Sequence, residues 1–92
     1  METNLKMLKA MTIEANDALQ NAESVSDIEA AERRLKQIID KESHKLFTVQ
    51  VQGGIDSLAT AFDLFEKHRI TTVQLGERVR SFCDQIDDIL NV

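Results

Sequence analysis

The chain has 92 residues and contains no proline and only three glycines. Proline is the strongest helix breaker, because it lacks a backbone N–H and its ring clashes with the preceding turn. Its absence, in a sequence rich in Ala, Leu, Ile, Glu, Asp, Lys and Gln, permits helix along almost the whole chain. We therefore predict an all-α protein that forms one helical domain over residues 1–92.

Clustered cations and long apolar runs are also missing. The formal net charge is −5 and no segment is rich in Lys or Arg, whereas binding to nucleic-acid phosphates needs several clustered cations. No run approaches the roughly 18 to 20 apolar residues of a membrane span, and the amino terminus lacks the apolar core of a secretory signal. We expect no nucleic-acid or membrane partner, and a location in the cytoplasm or export without a cleaved signal.

The residues that usually carry chemistry are sparse. Cys83 is the single cysteine, which excludes an intramolecular disulfide, and we expect it to be a thiol in or beside the core. Asp40 with His44 and Asp84 with Asp88 have the spacing of metal ligands on one helix face, but no second histidine joins either pair. Phosphate loops, nucleophile elbows and HExxH helices are absent. We expect no enzymatic activity, cofactor, metal site or small-molecule substrate.

Apolar residues recur every three or four positions, which is the period of one helix face. In the first segment this pattern forms a narrow stripe, called here the α1 stripe, of Leu5, Leu8, Thr12, Ala15 and Leu19, continued by Ala22. Thr12 and Ala15 interrupt the leucines and permit close approach of another helix. The α1 stripe is therefore our candidate dimer surface.

A second helix is predicted to begin at Ser26, because Ser26, Asp27 and Glu29 match a capping box that satisfies free backbone N–H groups. Its predicted apolar face consists of Ile28, Ala31, Leu35, Ile38, Ile39 and Leu46.

Two further helices follow by the same criterion. The third carries Ile55, Leu58, Phe62 and Phe65 and is predicted to end near Arg69. Thr71 and Thr72 can cap a fourth, with a predicted buried side of Val73, Val79, Phe82 or Cys83, Ile86, and Ile89 or Leu90.

The number of helices depends on the region around Gly53-Gly54. Gly53 can end the second helix in a left-handed cap, or both glycines can lie inside the first turns of the third helix. The second alternative follows from a similarity between residues 44–51 and 68–75, which would make Thr48 and Thr72 equivalent helix starts. We predict an antiparallel bundle of four helices, or of three if the second and third are continuous.

The sequence around His44 resembles the histidine phosphotransfer domain in part. The run His44-Lys45-Leu46-Phe47-Thr48 shares two positions with that family's His-x-Leu-Lys-Gly motif. The resemblance implies a four-helix bundle with an exposed, phosphorylatable histidine. The chain departs from the motif at the lysine and the small residue beside the imidazole.

Length, acidity and the mid-chain glycines also resemble the WXG100 proteins, which are small secreted helical proteins without a cleaved signal. Gly53-Gly54 falls where that family has its turn, but the chain has no tryptophan, so the motif that names the family is absent. The resemblance implies a secreted helical protein.

The leading hypothesis is a non-enzymatic helical module for protein–protein interaction, acting as a chaperone, regulator or assembly factor through a helix face. A small core favours a partner chain, and we expect a homo-oligomer or another protein partner. Surplus apolar residues on helix faces support this interpretation. The candidate interface consists of Leu5, Leu8, Thr12, Ala15, Leu19, Phe47, Val49, Val51, Ile70 and Leu75.

Overall fold

The computed structural model describes residues 2–42 and 48–91, except for the side chain of Glu2. Their fold consists of four helices: α1 (Glu2–Gln20), α2 (Val25–Glu42), α3 (Val49–Glu66) and α4 (Thr72–Leu90). The fold is compact and all-helical, and the described residues contain no strand. The predictions for His44, Leu46 and Phe47 lie outside the described residues.

The second helix begins one residue earlier than the capping pattern at Ser26 predicts. Ser24 accepts a hydrogen bond through its hydroxyl from the backbone N–H of Asp27 at 3.1 Å, and the Asp27 carboxylate accepts one from the backbone N–H of Glu23 at 3.4 Å. Ser24 therefore caps α2 in place of Ser26, but the pair is not a reciprocal capping box, because the Asp27 carboxylate accepts from Glu23 and not from Ser24. Both Ser24 and Ser26 have a carboxylate three residues later, so the spacing alone does not distinguish them.

The third and fourth helices begin after threonine caps, as predicted for the fourth helix and, for the third, by the alternative based on the repeat. The hydroxyl of Thr48 accepts a hydrogen bond from the Val51 N–H, and Thr71 forms a reciprocal capping box with Gln74. The equivalent starts are thus Thr48 and Thr71, one residue away from the pairing of Thr48 with Thr72 in the predicted repeat. The apolar positions keep the 24-residue register nevertheless, since Val51 and Leu75 are both buried.

Gly53 and Gly54 lie inside α3, which decides between the two alternatives left by the sequence. Gly54 is buried against α4: a Cβ atom added there would lie 3.0 Å from a ring carbon of Phe82 and 2.8 Å from the Gln85 Oε1 atom. A Cβ atom added at Gly53 would meet no atom within 4 Å. Gly54 thus permits the close approach of α3 to α4, whereas Gly53 does not have this role.

This contrast predicts opposite effects of the same substitution. Gly53→Ala should raise the free energy of unfolding by roughly 0.5 to 1 kcal/mol, because alanine favours helix more than glycine does. Gly54→Ala should lower the free energy of unfolding by about 1 kcal/mol. Alanine favours helix here too, but the cost of packing its methyl group against Phe82 is larger. Urea denaturation of the two variants measures the difference. Equal stabilisation by both would contradict the close α3–α4 contact.

Each helix packs against two others. α1 contacts α2 and α4, and α3 contacts α4 and, much less extensively, α2; among the described residues the pairs α1 with α3 and α2 with α4 do not touch. The molecule measures 39 × 21 × 21 Å. These dimensions fit four helices that lie side by side, each about 27 to 29 Å long.

The core lies between all four helices and includes most of the predicted apolar faces. Val79, Phe82, Cys83 and Ile86 of α4 are buried, as the pattern predicts. Val73, however, is 65% exposed, and Ile28 of α2 is 37% exposed. Ile28 lies in the first turn of α2, before the buried part of its stripe, and Val73 lies on a different side of α4 from Leu75, which is buried in the same turn.

The α1 stripe is part of this core, which corrects its assignment as a dimer surface. Its members from Leu5 to Leu19 are at most 3% exposed, and the Thr12 hydroxyl donates a hydrogen bond to the Leu8 carbonyl at 2.7 Å. Because α1 packs against both α2 and α4, its single apolar face is directed into the chain's own core. The face is already covered and is not available to a second chain in this fold.

Candidate functional site

The remaining candidate interface residues are divided between core and surface. Val51 and Leu75 are buried at 2% and 0% exposure, so they also belong to the core, and Ile70 is partly buried. Phe47 lies outside the described residues. Val49 is 89% exposed, so it is the candidate that a partner can contact most fully.

Val49 lies at one end of an open groove between α3 and α4. The groove has a volume of about 670 Å³ and is lined by Val49, Gln50, Gly53, Gly54, Ser57, Gln85, Asp88 and Ile89. The Thr48 cap places Val49 in the first turn of α3, on the outer side of the helix. Gly53 contributes no side chain, so the wall of the groove is low there and leaves room for a side chain of another protein.

A second depression continues the groove toward the other end of α3. It has a volume of about 320 Å³ and is lined by Asp56, Ser57, Thr60, Ala61, Leu64, Ile70 and Arg78. Ser57 lines both depressions, so they adjoin at this residue, and together we call them the α3/α4 groove. Leu64 at its far end is 38% exposed.

Few charged side chains line this surface: Asp56 lies beside Ser57 near its middle, and the others lie on α4. α3 contains Asp56, Asp63 and Glu66 but no Lys or Arg. On α4, Asp88 lies at the Val49 end of the groove and Arg78 lies at the Leu64 end. Both side chains belong to exposed residues, and neither forms an ion pair within the part of the chain that the structure describes.

The contact between α1 and α4 contains the second group of polar side chains. Lys9 forms an ion pair with Asp87, and this hydrogen bond raises the pKa of the Lys9 ammonium. Burial raises the pKa of the nearby Cys83 thiol, against a smaller opposing effect of Lys9. A thiol with a raised pKa is protonated at neutral pH and is a poor nucleophile, so Cys83 has the character of a core residue.

A third group lies where α2 meets the end of α3. Desolvation raises the pKa of the Glu32 carboxyl, Glu66 and Glu29 raise it further, and His68 opposes them. His68 has a left-handed backbone (φ 59°) and follows the C-cap of α3; its N–H donates to the Phe65 carbonyl at 3.0 Å. These contacts end α3 three residues before the predicted end at Arg69.

The other sequence-based candidates have different outcomes. Among residues 2–42 and 48–91, no three His, Cys, Asp or Glu side chains converge as metal ligands would. The phosphotransfer resemblance depends on His44, which lies outside the described residues. The WXG100 resemblance loses one of its supports, because Gly53 and Gly54 lie within a helix and not in a turn between helices.

Within the described residues, no helix has both the length and the apolar character needed to cross a membrane.

Comparisons with known proteins give no relative from which a function could be transferred. No protein-family model matches the chain, and searches among curated proteins and among solved structures find no match. The α3/α4 groove is therefore identified as the candidate functional site from its own geometry: it is open, partly apolar, and lined by few charged side chains.

Proposed function

We propose that this chain is a non-enzymatic helical module for protein–protein interaction, which acts through a helix face and associates with a protein partner or with itself. The observation that carries the proposal is the α3/α4 groove, an open surface rather than an enclosed pocket. Partner helices bind such grooves through side chains on one face, at spacings of three and four residues. Its exposed Val49 and partly exposed Leu64 provide the apolar contacts.

The proposal includes an antiparallel arrangement of the four helices. Two contacts between α1 and α4 support it: Lys9 pairs with Asp87, and the Gln20 side-chain amide donates a hydrogen bond to the Thr72 carbonyl at 2.9 Å. The start of α1 thus contacts the end of α4, and the end of α1 contacts its start. Short connections between α1 and α2 and between α3 and α4 agree with this arrangement.

Exposed apolar side chains elsewhere on the surface, in addition to those of the groove, are also consistent with an interaction protein. Exposed large apolar side chains occur on all four helices: Met7, Ile13, Val25, Ile28, Val49, Leu64 and Val73. Such residues are common singly on protein surfaces and carry little weight alone. Val49 and Leu64 differ from the others because both line the α3/α4 groove.

The proposal is tested by purifying the protein from its native host through an amino-terminal tag. Mass spectrometry identifies copurifying proteins, and light scattering measures the mass of the complex against the 10.4 kDa of one chain. A stoichiometric foreign partner or a defined oligomer supports the proposal. A monomer without partner that binds no dye for exposed apolar surface would remove its basis.

A further inference from the structure

We propose that the α3/α4 groove is the interface of a symmetric homodimer, in which the groove of one chain packs against the same groove of a second copy. This inference rests on the proposed function and specifies its partner and surface. The two α3 helices would run in opposite directions, related by a twofold axis that passes near Ser57. A twofold interface uses the same patch on both subunits, so the patch must complement itself.

The first argument is the spacing of the exposed residues on α3. Gln50, Gly53, Ser57, Thr60 and Leu64 form a strip, called here the α3 strip, with successive spacings of three, four, three and four residues. This is the spacing by which one helix meets another along its length. All five residues are exposed and uncharged, in a chain of which 29% of residues are charged.

The second argument is that the α3 strip fits against the same strip of a second copy that runs in the opposite direction. Gln50 and Leu64 lie seven residues on either side of Ser57, and Gly53 and Thr60 lie four and three residues from it. An antiparallel pairing about Ser57 brings Leu64 of one copy to the Val49 end of the other. There the groove of about 670 Å³ is open above Gly53, which adds no side chain, and it can receive a leucine.

The third argument is charge. Arg78 lies at the Leu64 end of the groove and Asp88 at the Val49 end. The same antiparallel pairing brings Arg78 of each copy to the end that carries Asp88 of the other, and so forms two opposite-charge pairs. A parallel pairing would instead bring like charges together at both ends. Neither residue has an ion-pair partner among the described residues of its own chain.

One charge opposes association. Asp56 lies beside Ser57, so the two copies of Asp56 come near each other across the twofold axis. We therefore expect a dimer of moderate affinity that Asp56→Asn makes tighter.

The test uses charge reversal and mixing of variants, followed by light scattering or sedimentation equilibrium. Wild type should have twice the mass of one chain. Arg78→Asp alone and Asp88→Arg alone should each be monomeric, because each places like charges opposite one another at both ends. The double variant Arg78→Asp/Asp88→Arg should dimerise again.

The mixture of the two single variants gives the sharpest result. One chain then carries only acids at these two positions and the other only bases, so both pairs become attractive. A one-to-one mixture of the monomeric variants should form a heterodimer.

Arg33→Asp is the matched control, because it makes the same change in charge as Arg78→Asp at an exposed position of α2. It should remain dimeric. Circular dichroism establishes that each variant is folded, as expected since Arg78 and Asp88 are exposed.

Three outcomes would overturn the inference. A wild-type monomer at every concentration excludes the homodimer, while a foreign partner in the native host would leave the proposed function standing. A wild-type dimer that both single variants retain would place the interface elsewhere. Monomeric single variants that fail to associate on mixing would exclude the twofold pairing.

Discussion

Replacing Leu8 with aspartate should abolish the folded state at 25 °C. Leu8 is 2% exposed within the core formed by all four helices. Loss of a buried leucine costs about 2 to 5 kcal/mol, and burial of an unpaired carboxylate adds several more. The sum is comparable with the roughly 5 to 15 kcal/mol that stabilise a whole domain. Far-UV circular dichroism should show loss of helix, and thermal melting should show no cooperative transition.

Met7→Asp provides the control, because Met7 is the preceding residue and is 55% exposed. It introduces the same charge into the same turn and should change the stability by no more than about 0.5 kcal/mol. A Leu8→Asp variant that stays folded but halves the mass of an oligomer would contradict the structure. That result would restore the α1 stripe as a subunit interface.

Replacing Phe82 with alanine should have the second largest effect on stability. It should also reverse the sign of the effect that Gly54→Ala has on stability. Phe82 is 4% exposed, and truncation of a buried phenylalanine costs about 3 to 5 kcal/mol. Its ring is also one of the two groups that a Cβ atom at Gly54 would meet, the other being the flexible end of the Gln85 side chain. Once the ring is removed, Gly54→Ala places a methyl group in the vacated space and favours helix, so it should stabilise the protein.

A double-mutant cycle measured by urea denaturation tests this coupling. If Phe82→Ala alone is too unstable to measure, Phe82→Leu gives the same comparison with a smaller cavity. Gly53→Ala should have the same stabilising effect with or without Phe82, because nothing lies within 4 Å of an added Cβ there. An unchanged cost of Gly54→Ala in both backgrounds would show that Phe82 is not the group it meets.

The helices themselves could be predicted from the sequence because they depend on local signals. Apolar spacing identifies most core residues of α3 and α4, and the threonine cap identifies where α4 begins. The cap of α2 lies two residues before the predicted one because two serines compete, and only the hydrogen bond from the Asp27 N–H distinguishes Ser24 from Ser26. The position of Gly54 inside α3 could not be decided, since a glycine pair between two apolar runs fits a helix end equally well.

The candidate site was harder to predict because it depends on how the helices pack. An apolar stripe such as Leu5 to Leu19 looks the same whether the partner helix belongs to the same chain or to another. The assignment of that stripe to a subunit interface failed for this reason. The α3 strip lacks strong apolar character, and only the burial of the opposite face of α3 reveals that Ser57 and Thr60 are exposed. One signal of this site was available in the sequence. Uncharged residues recur at helical spacing along the α3 strip, although the chain is highly charged.

The limited contact between α2 and α3 has a consequence for the motions of the protein. The bundle divides into two helix pairs, α1 with α2 and α3 with α4, and the extensive contact of α1 with α4 joins them. Among the described residues, α2 and α3 have the least extensive contact of any neighbouring helices, so we expect their separation to cost the least free energy. Local opening of the bundle should therefore begin along the edge between α2 and α3, where water would first reach the core.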